Sequence, residues 1–359
     1  MGFLSQLVSL GFGHFSDTPL FIDEFENINA DLKGDILPQN NFIHKAFIEL
    51  GSNCNLNCGF CEENETLFRK TGCKKWSKYN NVITTDRWED ILRQLSYLKC
   101  KSLSFIGGNP LLQFESLINI INTSKNYGFT NYTIFTNGTL LSDSILEQLN
   151  DKNVTLNIQI LSFNPNNISL LGLNDSIVKE IHENLMKLKD KNINVIAQIL
   201  INKYNENEIE SIINQLSTLY NIKNIKLDYI YNVPENTYYS TKYISDMYKK
   251  QFGKVTIDKF NYLQNWNSCL KGQIVIRQDG EVLPCPMIRK SIGNIFDAKL
   301  CDLLKRDEYI EYTKITRKYI SSCKECSYKY NCVDCRAIEM SATNNLYGLH
   351  FCDLKENYE

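Results

Sequence analysis

Several things are scarce in this chain, and each scarcity narrows what it does. There are four histidines in 359 residues, at 14, 44, 182 and 350, and they form no cluster. No histidine-rich metal centre is therefore encoded. No stretch reaches the roughly 18 consecutive apolar residues of a membrane-spanning helix. The N-terminal run MGFLSQLVSLGFGHF has no Lys or Arg before Lys33, so it lacks the positive leader of an export signal. A cytoplasmic protein with no membrane partner is expected. Net charge is −2, with Lys and Arg spread evenly, so no basic stripe recommends nucleic acid as a partner. There is no low-complexity tract and no tandem repeat. What the chain does have is cysteine. Thirteen cysteines without an export signal do not read as a disulfide set; at short spacings in a reducing compartment they read as metal ligands.

Three of them share one loop, Cys54, Cys58 and Cys61 in CNLNCGFC. Three thiolates spaced in this way can hold three irons of a four-iron cluster and leave the fourth iron open to bind and reduce a small molecule. Zinc is the competing metal, but a structural zinc site wants four protein ligands, and no fourth Cys or His lies close in sequence.

Residues 46 to 230 repeat a short β run, a loop and an amphipathic helix. The β runs are 46–50, 102–106, 131–136, 154–161, 193–201 and 224–230. The helices between them show 3.6-residue periodicity: Trp88, Ile91, Leu92, Leu95 and Leu98 on one, Ile177, Ile181, Leu185 and Leu188 on another, Ile209, Ile212, Ile213, Leu216 and Leu219 on a third. Asp86 is placed to cap the first, with Glu89 three residues on as in a capping box. Alternation of this kind gives a parallel sheet with right-handed crossovers, and six units suit a partial (β/α)6 TIM-like barrel. The distinctive loops all follow strands: the cysteine loop, GGNP (107–110), TNG (136–138), SFNP (162–165) and NKYN (202–205). They therefore collect on the carboxyl-end rim, where α/β folds build their sites.

Beyond about residue 255 the helical periodicity fades, and eight cysteines fall within 84 residues. The chain thus reads as an N-terminal segment 1–45 with possible substrate-binding elements, a barrel over 46–254 and a small loop-rich domain over 255–359. Metal binding would supply much of the folding free energy of that last domain. Its cysteines are Cys269 and Cys285 flanking the hairpin QIVIRQDGEVLPC, then Cys323, Cys326, Cys332 and Cys335, spaced C-x2-C-x5-C-x2-C, and finally Cys352. Two C-x2-C pairs would also suit a zinc ribbon, which leaves Cys269, Cys285 and Cys352 unexplained. Cys73, Cys100 and Cys301 remain, and free cysteines are commonly buried small hydrophobes.

The cysteine loop, with Phe60 just before its last Cys, resembles the signature of the radical S-adenosylmethionine (radical SAM) enzymes. The C-terminal set resembles their SPASM extension, which holds two auxiliary [4Fe–4S] clusters. The resemblance implies that the Cys54/Cys58/Cys61 cluster reductively cleaves SAM to a 5′-deoxyadenosyl radical that abstracts hydrogen from a substrate. It implies that Gly107, Gly108, Asn109 and Pro110 meet SAM's methionine amino group, with Asn109 where an acidic residue is usual. Thr136, Asn137, Gln159, Ser162 and Asn202 are further candidate contacts. Cys269, Cys285 and Cys335 would hold one auxiliary cluster, and Cys323, Cys326, Cys332 and Cys352 the other. The last pair departs from the family's C-x3-C, and no Cys lies between 101 and 268, so the resemblance implies a first auxiliary cluster without a fourth thiolate there and with an iron open to a substrate thiolate or Cys301. Cys73, near the expected cavity, is the candidate hydrogen donor for an epimerisation.

The resemblance also implies a substrate: a ribosomally made precursor peptide, crosslinked through a thioether or carbon–carbon bond. Alternatives are a sulfatase-maturing Ser/Cys oxidase, a small-molecule dehydrogenase, or a non-catalytic metal-bearing peptide-binding module. The oxidases carry an Asp just after the Cys285 position, where this chain has Pro286. A flavodoxin or ferredoxin would supply electrons. A winged peptide-recognition domain needs about 80 residues, so a separate recognition protein is a candidate partner, as is an ATP-grasp ligase suggested by the DCRA stretch from Asp334.

Overall fold

The computed structural model describes residues 42–61, 69–70, 72–76, 83–150, 152–189, 191–234, 236–253 and 255–354, with the side chains of Thr85, Asp86, Ile257 and Asp258 outside that description. Nearly all of the N-terminal segment therefore lies outside the described residues. No helix among the described residues is long and apolar enough to cross a membrane.

Six parallel strands follow one another across a single sheet: β1 Lys45–Glu49, β2 Ser102–Ile106, β3 Asn131–Thr136, β4 Val154–Ile160, β5 Asn194–Ile201 and β6 Ile225–Tyr229. The helices between them are α1 Thr85–Tyr97, α2 Phe114–Lys125, α3 Asp143–Leu149, α4 Pro165–Leu170, α5 Ser176–Leu188 and α6 Ile209–Thr218. This is the expected partial TIM-like barrel, and the strand limits differ from the sequence expectation by at most one residue at either end.

Two faces of the sheet follow from side-chain alternation. Ala46, Ile48, Leu103, Phe105, Tyr132, Ile134, Leu156, Ile158, Ala197 and Ile199 lie under the helices in the main core. Registered pairs such as Phe135 with Asn157 and Gln159 with Gln198 belong to the other, concave face. Apart from a small cluster of Phe47, Ile106, Phe135, Val275 and Leu283, and Ile196 and Leu200 on β5, that face is polar, with Glu49, Ser104, Asn157, Gln159, Gln198 and Asp228 all buried. The helices cover the apolar face with the residues their periodicity marks: Trp88, Ile91, Leu92, Leu95 and Leu98 are all buried, as are Ile177, Ile181, Leu185 and Leu188. On α6, Ile209, Ile212 and Leu216 are buried, while Leu219 is exposed.

One capping expectation is corrected. Helix α1 begins at Thr85, with extended Thr84 in the N-cap position and no side-chain cap bond, so Asp86 lies inside the first turn. The Glu89 carboxylate does not close a capping box; it accepts from the Tyr127 hydroxyl at 2.7 Å.

Long-range pairing extends the sheet beyond the barrel strands. The hairpin β8 Gln273–Arg277 and β9 Glu281–Leu283, with β10 Gly293–Asn294, continues it on the far side of β1, so that β8 runs parallel to β1. Gly280 turns this hairpin at φ +85°, a conformation open to glycine at little cost. A separate two-stranded sheet pairs β7 Gln251–Phe252 with β11 Cys332–Val333.

Candidate functional site

The loop that leaves β1 carries Cys54, Cys58 and Cys61 into one cavity, lined also by Phe60, Cys73, Gly108, Asn137 and Gln159. Ser162 and Asn202 are not among its lining residues. The Ser162 hydroxyl donates to Glu208 at 2.8 Å, and Asn202 folds back on its own turn, donating to the Leu200 carbonyl and accepting from the Tyr204 amide, both at 3.0 Å. Burial drives up the Cys58 thiol, and its neighbours Cys61, Cys54 and Cys73 add to the rise. Burial likewise raises Cys54 and Cys73. Burial thus disfavours the thiolate forms of Cys54, Cys58 and Cys73, a cost that a bound cation would offset. Backbone amides nevertheless point at two sulfurs, Leu56 at Cys54 (3.5 Å) and Lys75 at Cys61 (3.3 Å). Such N–H donors suit cluster-ligating thiolates. Among the described residues, no three His, Cys, Asp or Glu side chains stand close enough to share one metal ion. A cubane does not ask for that, since each thiolate binds its own iron. The donor set fits the cluster.

GGNP packs against the cysteine loop. A Cβ on Gly107 would lie 2.0 Å from the Gly51 carbonyl oxygen, and one on Gly108 1.9 Å from that of Asn53. Both glycines have positive φ, +96° and +55°. The Gly108 amide donates to Lys74 O (2.8 Å) and that of Asn109 to Asn53 O (2.9 Å). The motif thus clamps the cysteine loop from one side and the 72–76 segment from the other. Pro110 opens a short 3₁₀ turn, 110–113, which Asn109 caps.

Beside the cavity, on the polar concave face, lies a group that sequence reasoning missed. Arg69, fully buried, donates to Gln159 and pairs with Asp228 at 3.2 Å, and Gln198 donates to the same Asp228 oxygen at 3.0 Å. Gln159 therefore belongs both to the cysteine cavity and to this charged group. Another buried pair bridges the chain's two cysteine-rich regions. Arg289, four residues past Cys285, grips Glu49 with two bonds of 2.8 and 2.9 Å and stacks 4.2 Å over Trp76.

The C-terminal cysteines fall into two electrostatic neighbourhoods. Burial raises Cys285 well above its ordinary range, and Cys269 and Cys335 are the thiols that add to the rise. Burial raises Cys323 to about 11, and Cys352 is the thiol beside it. The Met287 amide donates to the Cys285 sulfur at 3.4 Å. Asp334, between Cys332 and Cys335, is held by Arg317 (2.6 Å) and by Arg336. No disulfide ties any of the thirteen cysteines. Cys100 is fully buried, its thiol on the Ser102 carbonyl at 3.4 Å, and Cys301 packs on the core.

The family model of the Radical SAM superfamily matches residues 48–216, and that of SPASM, an iron–sulfur cluster-binding domain, matches 268–327. The chain belongs to the radical SAM superfamily. Its barrel is a radical SAM domain, which binds SAM and a [4Fe–4S] cluster, and its C-terminal SPASM domain binds auxiliary iron–sulfur clusters. The chain is similar to the radical SAM cyclopropyl synthase TigE of Paramaledivibacter caminithermalis, 25% identical over 80% of this chain and 65% of TigE. This chain thus spans under two-thirds of that relative's length. It is also similar to the cysteine-type anaerobic sulfatase-maturating enzyme of Clostridium perfringens, 23% identical over 79% of this chain and 87% of that one. Streptococcus suis SuiB, solved bound to its precursor peptide SuiA, superposes with a TM-score of 0.67 at 18% identity, over 98% of this chain and 88% of SuiB. That likeness speaks for the fold.

Proposed function

We propose that this radical SAM/SPASM enzyme matures a ribosomally synthesised precursor peptide by forming a crosslink within it. The observation that carries the reading is that Gln159 lines the cysteine cavity and is also held by the buried Arg69–Asp228 pair, so the polar face of the sheet adjoins the loop suited to a cluster. Relatives that modify or bind peptides support the substrate class.

In this reading Cys54, Cys58 and Cys61 hold the first cluster. Phe60, Asn137, Gln159 and the 107–110 turn, which stand at or beside the cysteine cavity, would hold SAM. When bound, the cluster and SAM together supply a radical strong enough to take hydrogen from an unactivated carbon. The chain's own residues do the rest. Amides of Leu56 and Lys75 steady the ligating sulfurs, and GGNP fixes the loop. The buried polar face orients a peptide while excluding water. Cys269, Cys285 and Cys335, and separately Cys323, Cys326, Cys332 and Cys352, would hold the auxiliary clusters, which would supply redox centres for the electron left over from a two-electron oxidative crosslink. A Ser/Cys oxidase is disfavoured at Pro286, whose backbone carbonyl accepts from Arg289 at 3.2 Å and offers no base.

The test incubates anaerobically reconstituted protein, SAM and dithionite with peptides encoded beside the gene. A product lighter by two hydrogens, with a new crosslinked fragment, is expected. An unmodified peptide alongside turnover of a sugar or cyclitol would overturn the assignment.

A further inference from the structure

The asparagines of GGNP and TNG do something that their motif positions do not announce. Their amide orientations are fixed by backbone donors. The Leu111 and Thr139 amides can only donate, and they donate to Asn109 Oδ1 (3.4 Å) and Asn137 Oδ1 (3.1 Å). Each Nδ2 must therefore face the other way. Asn109 Nδ2 gives its two hydrogens to Asn55 Oδ1 and Asn137 Oδ1, both at 3.0 Å. Asn109 Oδ1 accepts a second bond from the Thr136 hydroxyl, also at 3.0 Å. Thr136 must donate there because an amide oxygen can only accept, and its own oxygen in turn accepts from the Gly138 amide at 3.2 Å. Asn109 is then saturated, with two bonds given and two accepted. Asn137 Nδ2 gives one hydrogen to Asn55 Oδ1 (3.1 Å) and the other to the Cys54 sulfur (3.6 Å). Thr136, Asn109 and Asn137 are all buried.

We infer that this directed chain, Thr136 to Asn109 to Asn137 to Cys54, is a tuning device for the first cluster. Asn137 is a positioning residue that presents an N–H to the Cys54 thiolate, and Asn109 is the hub that, together with the Thr139 amide and hydroxyl, orients it. Hydrogen bonds to ligating sulfurs stabilise the more electron-rich reduced state and raise the potential. The neutral hub is essential to this. An acidic residue at 109 could not donate to Asn137 Oδ1 and would set a carboxylate against it. The same saturation leaves the Asn109 side chain no bond for SAM's ammonium, so at this motif SAM is met by backbone. The inference rests on Cys54, Cys58 and Cys61 being the cluster ligands.

The test uses full-length, anaerobically reconstituted protein and its Asn137→Asp, Asn137→Ala and Asn109→Asp variants. SAM perturbs the EPR signal of the first cluster only, which separates it from the auxiliary signals. The readouts are iron content, the SAM-responsive signal and its midpoint in a redox titration. The expected result is wild-type iron content with a more negative midpoint in all three variants, largest for Asn137→Asp, which is isosteric but loses the donor. An unchanged midpoint in variants that retain the signal sinks the inference. So does loss of the SAM-responsive cluster from every variant while the remaining iron is kept, which would make the residues purely structural. A wild-type protein with no SAM-responsive signal would instead defeat the underlying ligand assignment.

Discussion

Replacing Gly108 by alanine asks the cysteine loop to give way. The new Cβ would sit 1.9 Å from the Asn53 oxygen and 2.5 Å from its carbonyl carbon, where real contacts are essentially never under 3.0 Å. The loop backbone must therefore retreat by at least about 1.1 Å, the difference between 3.0 and 1.9 Å. Alanine at φ +55° adds a left-handed penalty of about 1 kcal/mol. The displacement also breaks Gly108 N to Lys74 O and Asn109 N to Asn53 O, each worth about 1 kcal/mol net. The sum, about 3 kcal/mol, corresponds to a roughly 100-fold weaker hold on the cluster or on SAM. The assay is iron and sulfide content after reconstitution, with SAM affinity read from the EPR response. Gly108→Ala should lose the SAM-responsive cluster, about a third of the iron if the chain holds three clusters of equal size, while the SPASM signals persist. Full iron content with wild-type SAM affinity would refute the claim that this glycine exists for close approach of the loop.

Other outcomes follow from the same geometry. Arg69→Met strands the buried Asp228 carboxylate and should cost about 3–5 kcal/mol in denaturant unfolding, much of it recovered in the Arg69→Met/Asp228→Leu double variant; additive losses would mean that the pair is not coupled. Cys323→Ala and Cys352→Ala should remove the same iron, so the double variant loses no more than either single one, whereas Cys323→Ala with Cys269→Ala loses twice as much; Mössbauer-quantified iron decides. Burial, and then the nearby Lys226 charge, lower the Lys45 ammonium from its ordinary 10.5, with Cys269 opposing. For a depressed native lysine the unfolded chain binds the extra proton, so stability should rise with pH in the window just below 10.5. Lys45→Met should abolish that slope in pH-dependent unfolding, and an unchanged slope would contradict it.

Much of the barrel was legible because each β run and helix face is a local pattern; α1 buries all five of the residues its periodicity marks. The cysteine loop was legible because spacing alone encodes its chemistry. Pairing across long separations was not. Nothing local announces that Gln273–Arg277 lies against Lys45–Glu49, or that Arg289 meets Glu49. The resemblance marks Gly107 and Gly108 as SAM contacts, and nothing local announces that both also sit against the backbone of residues 51–53. Arg69 carries no motif, and nothing local to it announces that it meets Gln159 and Asp228.

The central claim is tested most directly by incubating anaerobically reconstituted protein with dithionite and SAM and measuring 5′-deoxyadenosine. The account predicts deoxyadenosine from the wild type and none from Cys58→Ala, in a protein that contains iron and sulfide. A preparation that takes up zinc in place of iron and leaves SAM intact would contradict it.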